Sequence, residues 1–86
     1  MYEQQTQPLN VIRMLEAAKR FGLAKSSFYD RVSQGLITPP ISLGGRAKAY
    51  VESEIDTVLK AMISGKTESE IKTLVLDLVQ QRQNLA

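Results

Sequence analysis

Residues Met14–Leu36, MLEAAKRFGLAKSSFYDRVSQGL, decide the fold. Within them Met14, Ala17, Ala18 and Phe21 recur at helical spacing, while Glu16, Lys19 and Arg20 turn away. Gly22 then stands where a helix end wants a residue tolerant of positive φ. A turn of Gly22, Leu23 and Ala24 leads to a second helical pattern over Lys25–Gln34. Phe28 and Val32, four apart, begin an apolar stripe that Leu36 continues. Phe21, Phe28 and Val32 are read as core. The opposite face carries Lys25, Ser26, Ser27, Asp30, Arg31, Ser33 and Gln34, with Tyr29 at its border. Two short helices about a tight glycine turn form a helix-turn-helix, in which the first braces the second.

Working outward, Gly35 ends the second helix and Thr38-Pro39-Pro40 prevents its restart. In Ile41–Val51, ISLGGRAKAYV, apolar Ile41 and Leu43 alternate with Ser42, and Ala47, Ala49 and Val51 alternate with Lys48 and Tyr50. The pair Gly44-Gly45 lies between the two runs and signals a hairpin, here a small ribbon rather than a sheet. Ser53 and Asp56 suggest a cap for a third helix, with Ile55, Val58, Leu59, Met62 and Ile63 at helical spacing and Gly65 closing it. Thr67 and Glu70 form a capping box for a fourth, whose stripe is Ile71, Leu74, Val75, Leu78 and Val79. The tail from Gln80 has little to bury. Upstream, residues 1–10 (MYEQQTQPLN) read as a loose polar arm. The expected fold is mainly α: a winged helix-turn-helix over 11–65 with a small β-hairpin wing, and an additional C-terminal helix in 66–86. That last helix either completes the core or pairs with a second copy as a homodimer.

Composition narrows the function. The 86 residues hold no cysteine and no histidine, which removes thiolate chemistry, the usual general base and the commonest metal ligand. No metal, cofactor or catalytic residue is expected, and the chain does not read as an enzyme. No apolar run reaches the roughly 18 residues of a membrane span, and the opening residues lack a secretory pattern, so a cytoplasmic protein is expected. The net charge is +2, but it is unevenly placed. Arg13, Lys19, Arg20, Lys25, Arg31, Arg46 and Lys48 face only Glu16 and Asp30 between residues 13 and 48, whereas the sequence from Ala49 onward is mildly acidic. A basic half suggests one surface for a polyanion.

Two blocks carry a family resemblance. Glu16, Gly22-Leu23 and Lys25-Ser26-Ser27-Phe28-Tyr29 make the first. Leu43-Gly44-Gly45-Arg46-Ala47-Lys48-Ala49-Tyr50-Val51, followed by Glu52-Ser53-Glu54-Ile55-Asp56, makes the second. Together they resemble the AlpA-type phage regulators, small winged helix-turn-helix proteins related to excisionases and to MerR-like DNA-binding domains. Ala24 stands where that family usually offers a capping serine, which moves the expected helix start toward Ser26. Asp30 stands where a basic residue is common; it is expected to pair with a cation or accept from a cytosine amino group.

The resemblance implies a sequence-specific binder of double-stranded DNA, acting as a transcriptional regulator of a prophage or integrative element. The excisionase alternative would add an integrase as partner. A protein-interaction module without DNA binding is the competing class, supported by the acidic second half and the leucine-rich last stripe. The expected DNA contacts are Lys25, Ser26, Ser27 and Arg31 on the recognition helix, with Gln34 near its end. Tyr29 either donates to a phosphate or packs on the wing. Arg46 and Lys48 reach from the glycine turn, and Arg13 with Lys19 or Arg20 touches phosphates from the first helix.

Overall fold

The computed structural model describes residues 9–85. The elements run β1 (Val11–Ile12), α1 (Met14–Phe21), α2 (Lys25–Ser33), β2 (Ile41–Gly44), β3 (Ala47–Val51), α3 (Glu52–Ile63) and α4 (Glu68–Gln81), with a closing 3-10 turn at Arg82–Leu85. The mainly helical class, the hairpin and the helix beyond it are as the sequence indicates. Most of the proposed arm, residues 1–8, lies outside the described residues.

Backbone chemistry explains the turn between α1 and α2. Gly22 sits at φ 67°, and its N–H donates to the Lys19 carbonyl while the Leu23 N–H donates to Ala18, at 3.0 Å each. These bonds satisfy carbonyls a helix end leaves open, and they need the left-handed conformation that glycine adopts without cost. The same paired bonds end α2 at Gly35-Leu36. Leu23 packs against the core and Leu36 is buried, so each helix stop also delivers an apolar side chain inward.

Two clusters hold the chain together. The first gathers Ala17, Ala18, Phe28, Ile37, Tyr50 and Ile55. Phe28 is fully buried, meeting Tyr50 edge-on at 5.1 Å between ring centroids and Phe21 tilted at 6.1 Å. Small Ala17 and Ala18 let α1 approach closely. The second cluster joins Leu36 and Val58 to Ile71 and Val75, so the stripe of α4 packs on α3 within the chain. Phe21 touches both clusters. Among the described residues no helix is long and apolar enough to cross a membrane.

Five details depart from the sequence reading. The ribbon is a three-stranded sheet of order β1-β3-β2, because Val11 pairs with Val51 and Ile12 with Tyr50. A two-residue strand has no alternation to betray it. The hairpin turn is Gly45-Arg46 rather than Gly44-Gly45, since Leu43 is an extra residue between the Ser42–Lys48 and Gly44–Ala47 pairs. That irregularity turns Leu43 outward, to 49% exposure. α2 begins at Lys25, not Ser26, with Ala24 in the capping position and no side-chain cap. α3 begins at Glu52 behind Val51, so Ser53 is inside its first turn rather than capping it. Finally, the tail is not idle: Arg82 donates to both carboxylate oxygens of Glu54, at 2.8 and 2.6 Å.

Candidate nucleic-acid interface

At about 100° per residue, α2 separates its polar residues onto distinct faces. Phe28 points to the core. Lys25, Tyr29 and Val32 follow at i, i+4 and i+7 on one flank; Ser27, Asp30, Arg31 and Gln34 lie on the other. Ser26 and Ser33 occupy the exposed crest between them. The Ser33 hydroxyl is spent on its own helix, donating to the Asp30 carbonyl at 2.9 Å.

Each flank opens into a groove. The first is lined by Arg13, Met14, Leu15, Lys25, Tyr29, Val32, Pro40, Arg46, Lys48 and Tyr50. It brings together five of the nine expected site residues, Arg13, Lys25, Tyr29, Arg46 and Lys48, from four parts of the chain. Arg13 precedes α1, Lys25 and Tyr29 come from α2, Arg46 from the wing turn and Lys48 from β3. Among the described residues, four cations line this groove and no carboxylate does. All four are exposed, and among the described residues none takes part in a salt bridge.

The second groove holds Ser27, Arg31 and Gln34 with Asp30, Leu36, Met62, Lys66, Glu68 and Ile71. Its two cations face two carboxylates, so it is electrically balanced. Ser26 belongs to neither groove. The expected residues therefore do not form one patch: they line α2 on both flanks and along its crest.

Tyr50 is a wall of the basic groove that the sequence reading left to the strand. The signal was available, since side chains alternate along a strand and Arg46, Lys48 and Tyr50 share parity. Burial pushes the Tyr50 phenol above its usual pKa, with a smaller contribution from neighbouring Tyr29. It therefore stays a neutral hydroxyl at physiological pH.

Arg20 has a different place from the one expected of it. Its guanidinium donates to Glu52 at 2.6 Å and Asp56 at 3.1 Å, with Glu16 at 3.6 Å. The hydrogen bond to Glu52 raises its pKa against the opposing desolvation, so this cation ties α1 to α3. Among the described residues no group of histidine, cysteine or acidic side chains is placed to hold a metal ion.

Comparison with known proteins shows the family of the chain. The chain is 31% identical over 55 residues to the uncharacterized protein ORF88 of Enterobacteria phage P4, a match spanning 64% of this chain and 62% of that protein. It thus covers less than two thirds of that relative's length. No solved structure matches the chain. The family model described as prophage CP4-57 regulatory protein (AlpA) matches residues 10–61, from β1 through the wing into α3. With more than half of its length matched, the chain belongs to the AlpA family of prophage regulatory proteins, a family of regulators rather than enzymes.

Proposed function

We propose that this regulator acts by binding double-stranded DNA sequence-specifically, with α2 in the major groove and the wing turn against the adjoining backbone or minor groove. The observation that carries this reading is the groove beside α2, where Arg13, Lys25, Arg46 and Lys48 stand exposed and, among the described residues, no carboxylate joins them. Clustering like charges without counterions disfavours the isolated fold, and a phosphate backbone relieves it. An α-helix fits the major groove, and the crest serine Ser26 with Ser27, Arg31 and Gln34 supplies donors and acceptors suited to base edges. Asp30, with Arg31 and Lys66 across the same groove, is suited to accept from a cytosine amino group. Tyr29 is placed to donate to a phosphate at the groove rim. In this reading residues 11–65 are the DNA-binding unit and 66–86 brace it. Two copies on adjacent half-sites would multiply the specificity of one short helix. Regulation of prophage genes places the protein in the cytoplasm.

Binding-site selection from random duplexes tests the proposal. The wild type should enrich one motif. Arg31→Ala should relax a single position of it if Arg31 reads a base, whereas Lys25→Ala should weaken all sequences alike. Failure to enrich any motif, together with capture of a protein partner by the intact groove, would replace the proposal with a protein-interaction module.

A further inference from the structure

The wing is anchored unequally at its two ends. β3 is held between β1 and β2, buries Tyr50 against Phe28, and runs into α3 without a linker. β2 is an edge strand entered through Thr38-Pro39-Pro40. The two prolines have no N–H to donate, and among the described residues no loop or turn bond between backbone groups involves these three positions. Nor does the buried Thr38 hydroxyl have a hydrogen-bond partner among the described residues. What this linker does receive is a hydrogen bond from outside the wing: Arg82 Nη2 donates to the Pro39 carbonyl at 2.8 Å. The same guanidinium grips the Glu54 carboxylate through Nε and Nη2, and Glu54 is buried at 6% exposure in the first turn of α3.

We propose that Arg82 is a positioning residue for the wing: by joining Glu54 at the start of α3 to the Pro39 carbonyl at the entry to β2, it sets where Arg46 and Lys48 stand relative to α2. A planar guanidinium suits this task because it forks rigidly toward a carboxylate and still has N–H donors to spare. A lysine offers one point of charge and cannot hold both partners in fixed geometry. Arg82 lies beyond residues 10–61, the part of the chain that the family model covers, whereas its partners Glu54 and Pro39 lie inside it. Its effect on binding rests on the DNA reading above; its effect on the wing does not.

Two measurements on the intact chain separate the two. The variants are Arg82→Lys, and Arg82→Met combined with Glu54→Leu, which removes both charges and strands neither. In the free protein, hydrogen exchange across the β2–β3 ladder should accelerate about fivefold more than exchange in α1 and α2. Exchange that is unchanged, or faster everywhere alike, would overturn the assignment. On a selected duplex, the loss caused by Arg46→Ala with Lys48→Ala should be about fivefold smaller in the clamp variants than in the wild type, since a misplaced wing has less to lose. Equal losses in both backgrounds would also overturn it. If those wing substitutions cost the wild type nothing, the DNA reading falls, and the exchange data alone decide the role of Arg82. Should the paired variant not fold, Arg82→Lys keeps the cation beside Glu54 and carries both measurements.

Discussion

Thr38 is fully buried, and its hydroxyl has no hydrogen-bond partner among the described residues. An unpartnered buried polar group costs about 1–3 kcal/mol, and valine has nearly the same shape without it. Thr38→Val is expected to stabilise the protein by about 1 kcal/mol, seen as a higher urea midpoint at unchanged slope; a lower midpoint would refute it. Glu70 answers to pH. The Thr67 backbone N–H donates to its carboxylate at 2.8 Å and holds its pKa below the usual carboxylate range, with the Thr67 side chain and Lys66 adding to the effect. A depressed pKa stabilises the fold above the ordinary carboxylate range, and the contribution disappears as pH falls through the depressed value. Urea midpoints of the wild type and Glu70→Gln should therefore differ at neutral pH and converge on acidification. A gap that widens in acid would contradict this.

Helix starts show what local spacing reveals and what it hides. Thr67 and Glu70 form the reciprocal box that their sequence spacing announces, at 3.1 and 2.8 Å, because both partners sit within one turn. The comparable signal at Ser53 misleads. β3 delivers the chain directly into α3, and the Glu52 N–H is satisfied by the Asn10 carbonyl at 2.9 Å, a residue far away in sequence. Thr67→Ala should cost about 1 kcal/mol, while Ser53→Ala should be nearly neutral. Denaturant midpoints of the two variants check this, and a larger loss at Ser53 would contradict it. β1 escaped notice for the same reason. Two residues earn their strand only by pairing with Val51 and Tyr50, whereas α1, α2 and the wing each carry a repeating pattern or a glycine stop of their own.

At the scale of the whole molecule, the sequence displays a basic half but does not say which cations are already used. Arg20 and Arg82 look like any others in the chain, yet folding binds them to Glu52, Asp56 and Glu54. Arg13, Lys25, Arg46 and Lys48, more than thirty residues apart at the extremes, converge on one groove with no ion-pair partner among the described residues. Strand parity foretold that Arg46 and Lys48 would share a side; nothing local foretold that Arg13 would join them, or that Ser27, Arg31 and Gln34 would open onto a second groove. DNA binding as proposed depends on this division between paired and available charge. Its most direct test is the salt dependence of duplex affinity for the wild type, the groove variants Lys25→Ala, Arg46→Ala and Lys48→Ala, and Arg20→Gln. Affinity should fall steeply with salt, and each groove variant should lower the slope of log affinity against log salt by about one. Arg20→Gln should leave that slope unchanged. Binding insensitive to salt, or a slope that Arg20→Gln reduces as much as the groove variants do, would contradict the account.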